Sequence, residues 1–122
     1  MIDFQNGSYF KLKVTNTVHN DLAQLLIPGE QIIGTYQSIR DYVTFTNKRV
    51  IAVNVQGMTG KKKDYTTLPY AKIQAFSVET SGVFDLDSEL ELYFSGLGRV
   101  KFEFTGSSNI VAIGQTISQF IL

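Results

Sequence analysis

The chain has no cysteine, only two prolines and one histidine, and its 11 basic residues are matched by 11 acidic ones. Without cysteine, disulfides, thiolate metal sites and thiol nucleophiles are excluded together, a usage that fits a reducing compartment. A formal net charge of zero speaks against a nucleic-acid binder, whose affinity rests on neutralising phosphates. No apolar run approaches the roughly 20 residues of a membrane-spanning helix. The N-terminal MIDFQNGSYF also lacks the basic region and apolar core of a signal peptide. The expectation is a soluble, cytoplasmic protein. Catalytic frames are missing too. Gly7-Ser8 has no nucleophile-elbow frame around it, and Gly57-Met58-Thr59-Gly60-Lys61 lacks the spacing of a phosphate loop and the Ser or Thr after its Lys. Neither an enzyme nor a cofactor is expected.

What is present is β patterning. With 43% hydrophobic residues, 9 Phe and 6 Tyr in 122 positions, the chain can bury the core of one domain spanning residues 1–122. Val43 and Phe45 alternate with Tyr42, Thr44 and Thr46, and Val50-Ile51-Ala52-Val53 follows Asn47-Lys48, whose Asn tolerates the left-handed backbone of a tight hairpin. That turn sets Phe45 opposite Val50, Val43 opposite Ala52, Thr44 opposite Ile51 and Tyr42 opposite Val53. Both faces of the hairpin are then apolar. The face carrying Tyr42, Ile51, Val53 and Val55 needs a cover, either the N-terminal segment or another subunit.

Six strands are read over 30–39, 41–46, 50–55, 63–68, 73–80 and 89–94, with Gly34 as a bulge and Pro69 ending the fourth; a seventh contains Val100, Phe102 and Phe104. Phe10, Leu12 and Val14 alternate as in a further short strand, and Asn6-Gly7 reads as a turn. Val18, Leu22, Leu25 and Leu26 recur at helical spacing before Pro28-Gly29, which predicts a helix over about 17–27 within an N-terminal extension, 1–29. His19 and Asp21 would lie on its polar side, so His19 is expected to be a surface histidine. Ser107 or Ser108 can cap an amphipathic C-terminal helix, 107–122, carrying Ile110, Ile113, Ile117, Phe120 and Ile121. The fold class expected is mainly β: a seven-stranded bent antiparallel sheet over 30–105, or partly open barrel, plugged by that helix.

Seven short motifs punctuate this pattern: Pro28-Gly29-Glu30; Arg40-Asp41; Phe45-Thr46-Asn47-Lys48-Arg49; Gln56-Gly57 with Thr59-Gly60-Lys61-Lys62; Leu68-Pro69-Tyr70; Phe76-Ser77-Val78-Glu79-Thr80; and Phe84-Asp85-Leu86-Asp87-Ser88-Glu89-Leu90. Over about residues 25–105 they resemble the bacterial pleckstrin-homology-like (PH-like) family. The resemblance implies a seven-stranded bent sheet with a helix cap, a non-enzymatic binding or scaffolding role and, as in similar proteins, ring-like homo-oligomers. One departure concerns ligands. Eukaryotic relatives that bind phosphoinositides carry a long basic loop where this chain has only Ser38 to Asp41, with Arg40 as its one cation.

The candidate surfaces follow. Tyr42, Ile51, Val53 and Val55 are the candidate oligomer interface, with the chain itself or an unknown protein as partner. Lys61, Lys62 and Lys63, joined by Lys48 and Arg49 if the two loops share an end of the sheet, form the alternative, an anion or lipid contact at a membrane surface. Asp85, Asp87, Glu89 and Glu91 alternate along an extended segment. The first three are weak metal candidates, and the better reading is turn bonding or pairing with Arg40 or Arg49. Arg40 is expected to pair with Asp41 or with a carboxylate of another subunit.

Overall fold

The computed structural model describes residues 1–5, 9–17, 19–83, 86–106 and 108–122. The expected turn at Asn6-Gly7, the helix position Val18, the metal candidate Asp85 and the alternative cap Ser107 lie outside the described residues. Strands β2 (Ile32–Ser38), β3 (Asp41–Thr46), β4 (Arg49–Gln56) and β5 (Lys62–Pro69) form one antiparallel meander. After a 3-10 turn at Tyr70–Lys72, β6 (Ile73–Glu79), β7 (Ser88–Phe94) and β8 (Gly98–Phe104) form a second. Strand β1 (Tyr9–Thr15) joins the two, antiparallel to β2 and parallel to β8. The sheet therefore has eight strands in the order β5-β4-β3-β2-β1-β8-β7-β6, where seven antiparallel ones were expected. The added strand gives β2 and β8 partners on edges that would otherwise stand open.

Local chemistry accounts for these elements. The β3–β4 hairpin has the register set by the Asn47-Lys48 turn, with Phe45 opposite Val50, Val43 opposite Ala52, Thr44 opposite Ile51 and Tyr42 opposite Val53. Asn47 completes the corner: its side chain accepts from the Gln31 amide at 2.8 Å and donates to the Gly29 carbonyl at 3.1 Å. The register of β2 against β3 shifts between Ile32 and Gly34, where the glycine reads as a bulge.

The main core lies on the concave side of the sheet. Val43, Phe45, Val50, Ala52 and Leu68 from one meander face Leu90, Leu92, Val100, Phe102 and Phe104 from the other, and Phe4 and Leu12 fill the join. Phe45 meets Tyr36 edge-on at 5.8 Å, and Tyr36 meets Phe104 at 4.9 Å, a geometry that adds to plain burial. Helix α2 (Ile110–Ile121) closes this core with Ile110, Ile113 and Ile117. Its cap is Asn109, not Ser108: Oδ1 of Asn109 accepts from the Ala112 amide at 3.2 Å. Gly114 lets α2 lie close on β6, since a Cβ there would stand 3.0 Å from Cγ2 of Val78.

The N-terminal helix shrinks to one turn, α1 (Asn20–Ala23). Its start has no side-chain cap, and a segment this short gains its stability from packing rather than propensity. Leu22 is buried and Leu26 partly buried, but Leu25, expected in the apolar stripe, is exposed.

Candidate functional site

The outer face of the β3–β4 hairpin is covered by its own chain. Leu22 packs with Tyr42, Ile51 and Val53 in a second apolar cluster, flanked by Leu26, Val55 and Tyr65. Tyr42, Ile51 and Val53 have essentially no exposed surface. This corrects the expected interface: the apolar face that called for a cover receives it in cis, and Val55 is half-buried at its margin. Polar bonds hold the cover down. Asp21 Oδ2 accepts from the Tyr42 hydroxyl at 3.0 Å, from Lys63 Nζ at 3.0 Å and from the Tyr65 hydroxyl. Burial pushes the Asp21 carboxyl up, but the bonds from Tyr65, Lys63 and Tyr42 outweigh it and hold its pKa down at about 2. The Tyr65 hydroxyl is pushed up to about 12, by burial and by the Asp21 carboxylate it binds.

His19 departs from its expected surface place. Its ring stacks flat on Tyr42, with centroids 3.6 Å apart and planes 4° from parallel. Burial lowers its pKa below the usual value, with Asp21 pulling up and Lys63 pulling down. Asp21, expected to face water, is the anchor of the cover. Neither was legible as such, because their partners lie about twenty and forty residues away in sequence.

The five candidate cations do not form one patch. Gln56 pairs with Lys62 and Arg49 with Pro69, so the turn holding Lys48 and the loop holding Lys61 are at opposite ends of β4. Consecutive turns of an antiparallel meander must alternate ends. Two of the five are already engaged. Lys63 binds Asp21, and Arg49 clasps Glu30 through Nε and Nη2 at 2.9 Å each while donating to the Leu25 carbonyl and Thr67. Lys48, Lys61 and Lys62 are exposed.

Arg40 and Asp41 also part company. Arg40 donates to the carbonyls of Gly57 at 2.6 Å and Val55 at 2.9 Å, whereas Asp41 accepts from the Val55 amide at 2.9 Å. Together they tie the β2–β3 turn to the β4–β5 loop. On the other meander, Glu89 pairs with Lys101 at 3.2 Å and Glu91 with Arg99 at 3.4 Å, across β7 and β8 rather than with Arg40 or Arg49. Asp87 stands close enough to Glu103 to raise its pKa, after burial, the larger cause. Among the described residues no group of three or more potential ligands gathers as for a metal ion.

Two features escaped the sequence reading. Among the described residues, strands β5 and β6 each pair on one side only, and beside β6 runs an open groove of about 720 Å³ lined by Phe76, Val78, Val111, Gly114, Gln115 and Ser118, among others. At the Arg40 end, Ile39 and Met58 stand almost wholly in solvent. An apolar residue inside each of two hairpin connections was the available signal.

A bent open sheet whose mouth is crossed by a C-terminal helix is the PH-like class of fold. The chain belongs to the bacterial PH domain family, whose model matches residues 3–121. It is 42% identical over 106 residues to the uncharacterized protein YjqA of Bacillus subtilis, covering 85% of each chain. It is also 41% identical over 71 residues to the uncharacterized YozO of the same organism, covering 58% of this chain and 61% of that one. Among solved structures, it is similar to a DUF1696 family protein with a pleckstrin-homology domain from Shewanella loihica, with a TM-score of 0.75, 39% identity and 93% and 99% of the two chains covered. A pleckstrin homology domain from Shewanella amazonensis follows, with a TM-score of 0.62, 38% identity and 84% of each chain covered. No helix among the described residues is long and apolar enough to cross a membrane.

Proposed function

We propose that this domain is a non-catalytic binding and scaffolding module that assembles with copies of itself through the open edges of its sheet. The observation that carries this reading is that β5 and β6 end the sheet with unpaired outer edges, and β6 lies beside an apolar groove. An incoming strand gains main-chain hydrogen bonds from such an edge, and the groove receives alternate side chains. A second copy supplies a suitable strand. Its β5 has 8 residues to the 7 of β6, and antiparallel pairing sets Lys62 at one end of β5 against Glu79 at the end of β6. The two edges are different surfaces, so the contact is heterologous and closes into a ring where the rotation allows.

The test is the mass in solution, by light scattering behind a sizing column over a range of concentrations. The expected result is a discrete multiple of 13.6 kDa. Ser118→Trp, which fills the groove from the helix side, should return the protein to a folded monomer. A wild-type monomer at every concentration removes the self-assembly reading.

A further inference from the structure

The cover over the hairpin is the lesser partner in its own contact. Of residues 20–27 only Leu22 is buried, whereas Tyr42, Ile51 and Val53 beneath it are wholly sealed. The single turn α1 has no side-chain cap, and the amides of Leu22, Leu25 and Leu26 bond to His19, Leu22 and Ala23 within the cover itself. The sheet therefore holds it by side chains. Tyr42 on β3 and Lys63 and Tyr65 on β5 send three donors to one atom, Asp21 Oδ2, while Ile51 and Val53 on β4 make the floor beneath Leu22. These three strands are paired with one another, so the receptor is fixed by the fold and only its occupant is a loose segment. Nε2 of His19 is buried there without a hydrogen-bond partner among the described residues, which favours release. Both flanks are anchored independently: Thr15 pairs with Thr35, and Arg49 holds the Leu25 carbonyl at 2.6 Å. The segment between these anchors can leave the sheet with both kept.

We infer that Tyr42, Ile51, Val53, Lys63 and Tyr65 form a docking site for an acidic, leucine-bearing helical segment of a partner protein, and that α1 occupies it in cis as a displaceable stand-in. Charge complementarity names the occupant. Three donors, one of them a cation, converge where a single carboxylate sits, beside a floor that takes an aliphatic side chain. The fitting segment has a carboxylate directly before a leucine and a second leucine four positions on, as Asp21, Leu22 and Leu26 stand here. A short helix seated by anchors at such spacing is a recurring mode of recognition. An occupant in cis lowers the apparent affinity in proportion to the time it holds the site, which makes the cover a threshold on binding. This site does not depend on self-assembly through the sheet edges.

Because the chain lacks cysteine, one introduced thiol reports on each face: Val53→Cys beneath the cover and Val43→Cys in the main core, both positions without exposed surface. With dithionitrobenzoate, Val53→Cys should react at least about tenfold faster than Val43→Cys, since lifting the cover costs less than opening the whole fold. Adding Asp21→Asn and Leu22→Ser should speed the Val53→Cys reaction further and leave Val43→Cys slow. In that loosened protein, a synthetic peptide with the sequence of residues 19–27 should slow labelling by about fivefold or more, because the site is now vacant most of the time. The same peptide with Asn in place of its Asp should not protect. Equal labelling at the two positions, in either background, would overturn the proposal by making the cover part of the cooperative fold. So would a loosened protein that neither peptide protects, or that both protect alike. Labelling of Val53→Cys that slows merely as protein concentration rises would give the site to a second copy and likewise overturn it.

Discussion

The Glu30 carboxylate, whose side chain has no exposed surface, is gripped by the Arg49 guanidinium through two hydrogen bonds of 2.9 Å. Thr46 Oγ1 donates to the same carboxylate at 2.7 Å and the Ile27 amide at 3.2 Å, so its acceptor sites are filled. The pair fastens the 25–30 connection to the hairpin turn. Removing one partner leaves a buried charge uncompensated, so Arg49→Ala should cost about 3–5 kcal/mol in urea unfolding, while Glu30→Leu with Arg49→Met should recover much of that loss. A double variant no more stable than Arg49→Ala would contradict this account.

Val53 gives the sharpest reversal of a sequence expectation. Had its face been an interface between subunits, Val53→Glu would split an assembly and leave a folded monomer. With the side chain sealed beneath Leu22 and its neighbours, the same change puts a charge into an apolar cluster without a partner. The loss should reach or exceed the upper end of the usual range of about 0.5–3 kcal/mol. Far-ultraviolet circular dichroism of the purified variant checks it, and a native spectrum with wild-type melting would return the face to the list of interfaces.

The strands were legible because each obeys a rule of period two and each break has its residue. Asn47-Lys48 set the hairpin register, and Pro69 stands where β5 ends. The apolar excess on the outer face was equally plain, and it called correctly for a cover. What the residues could not say was whose. The answer lies in Asp21, which bonds Tyr42 and Lys63 from 21 and 42 residues away, and no local pattern encodes such a distance. The scatter of the cations was legible in principle, since successive turns of a meander alternate ends. The alternation of Phe10, Leu12 and Val14 did mark strand β1, but not its place between β2 and β8, where its pairing with β8 shifts between Tyr9 and Leu12 and Lys11 sits at φ +58°.

The cover should respond to pH in separate steps. His19 titrates below its ordinary 6.5 in the folded chain, because burial against Tyr42 disfavours the charged ring. The unfolded chain therefore takes up the proton first, and stability complete above 6.5 falls as pH drops towards the folded value. His19→Phe keeps the stack and removes this step. Asp21 acts lower down: its contribution is full above 3.8 and is lost as pH falls towards about 2. Tyr65 acts on the alkaline side, with stability full below 10.0 and lost as pH rises towards about 12. Melting temperature followed across pH for wild type and His19→Phe reads the first step directly. An unchanged slope below 6.5 in the variant would assign that step to another group.

Ile39 holds a left-handed backbone, φ +47°, in the β2–β3 turn. A left-handed backbone costs an L residue with a branched Cβ roughly 1–2 kcal/mol, and Asn visits that region far more readily. Because Ile39 is 96% exposed, replacing it forfeits little packing. Ile39→Asn should therefore raise stability, by about 0.5–1 kcal/mol once the looser unfolded chain is counted. Urea unfolding of that single variant decides the matter: a more stable protein places the strain at Ile39, and a less stable one shows that Ile39 serves the turn itself.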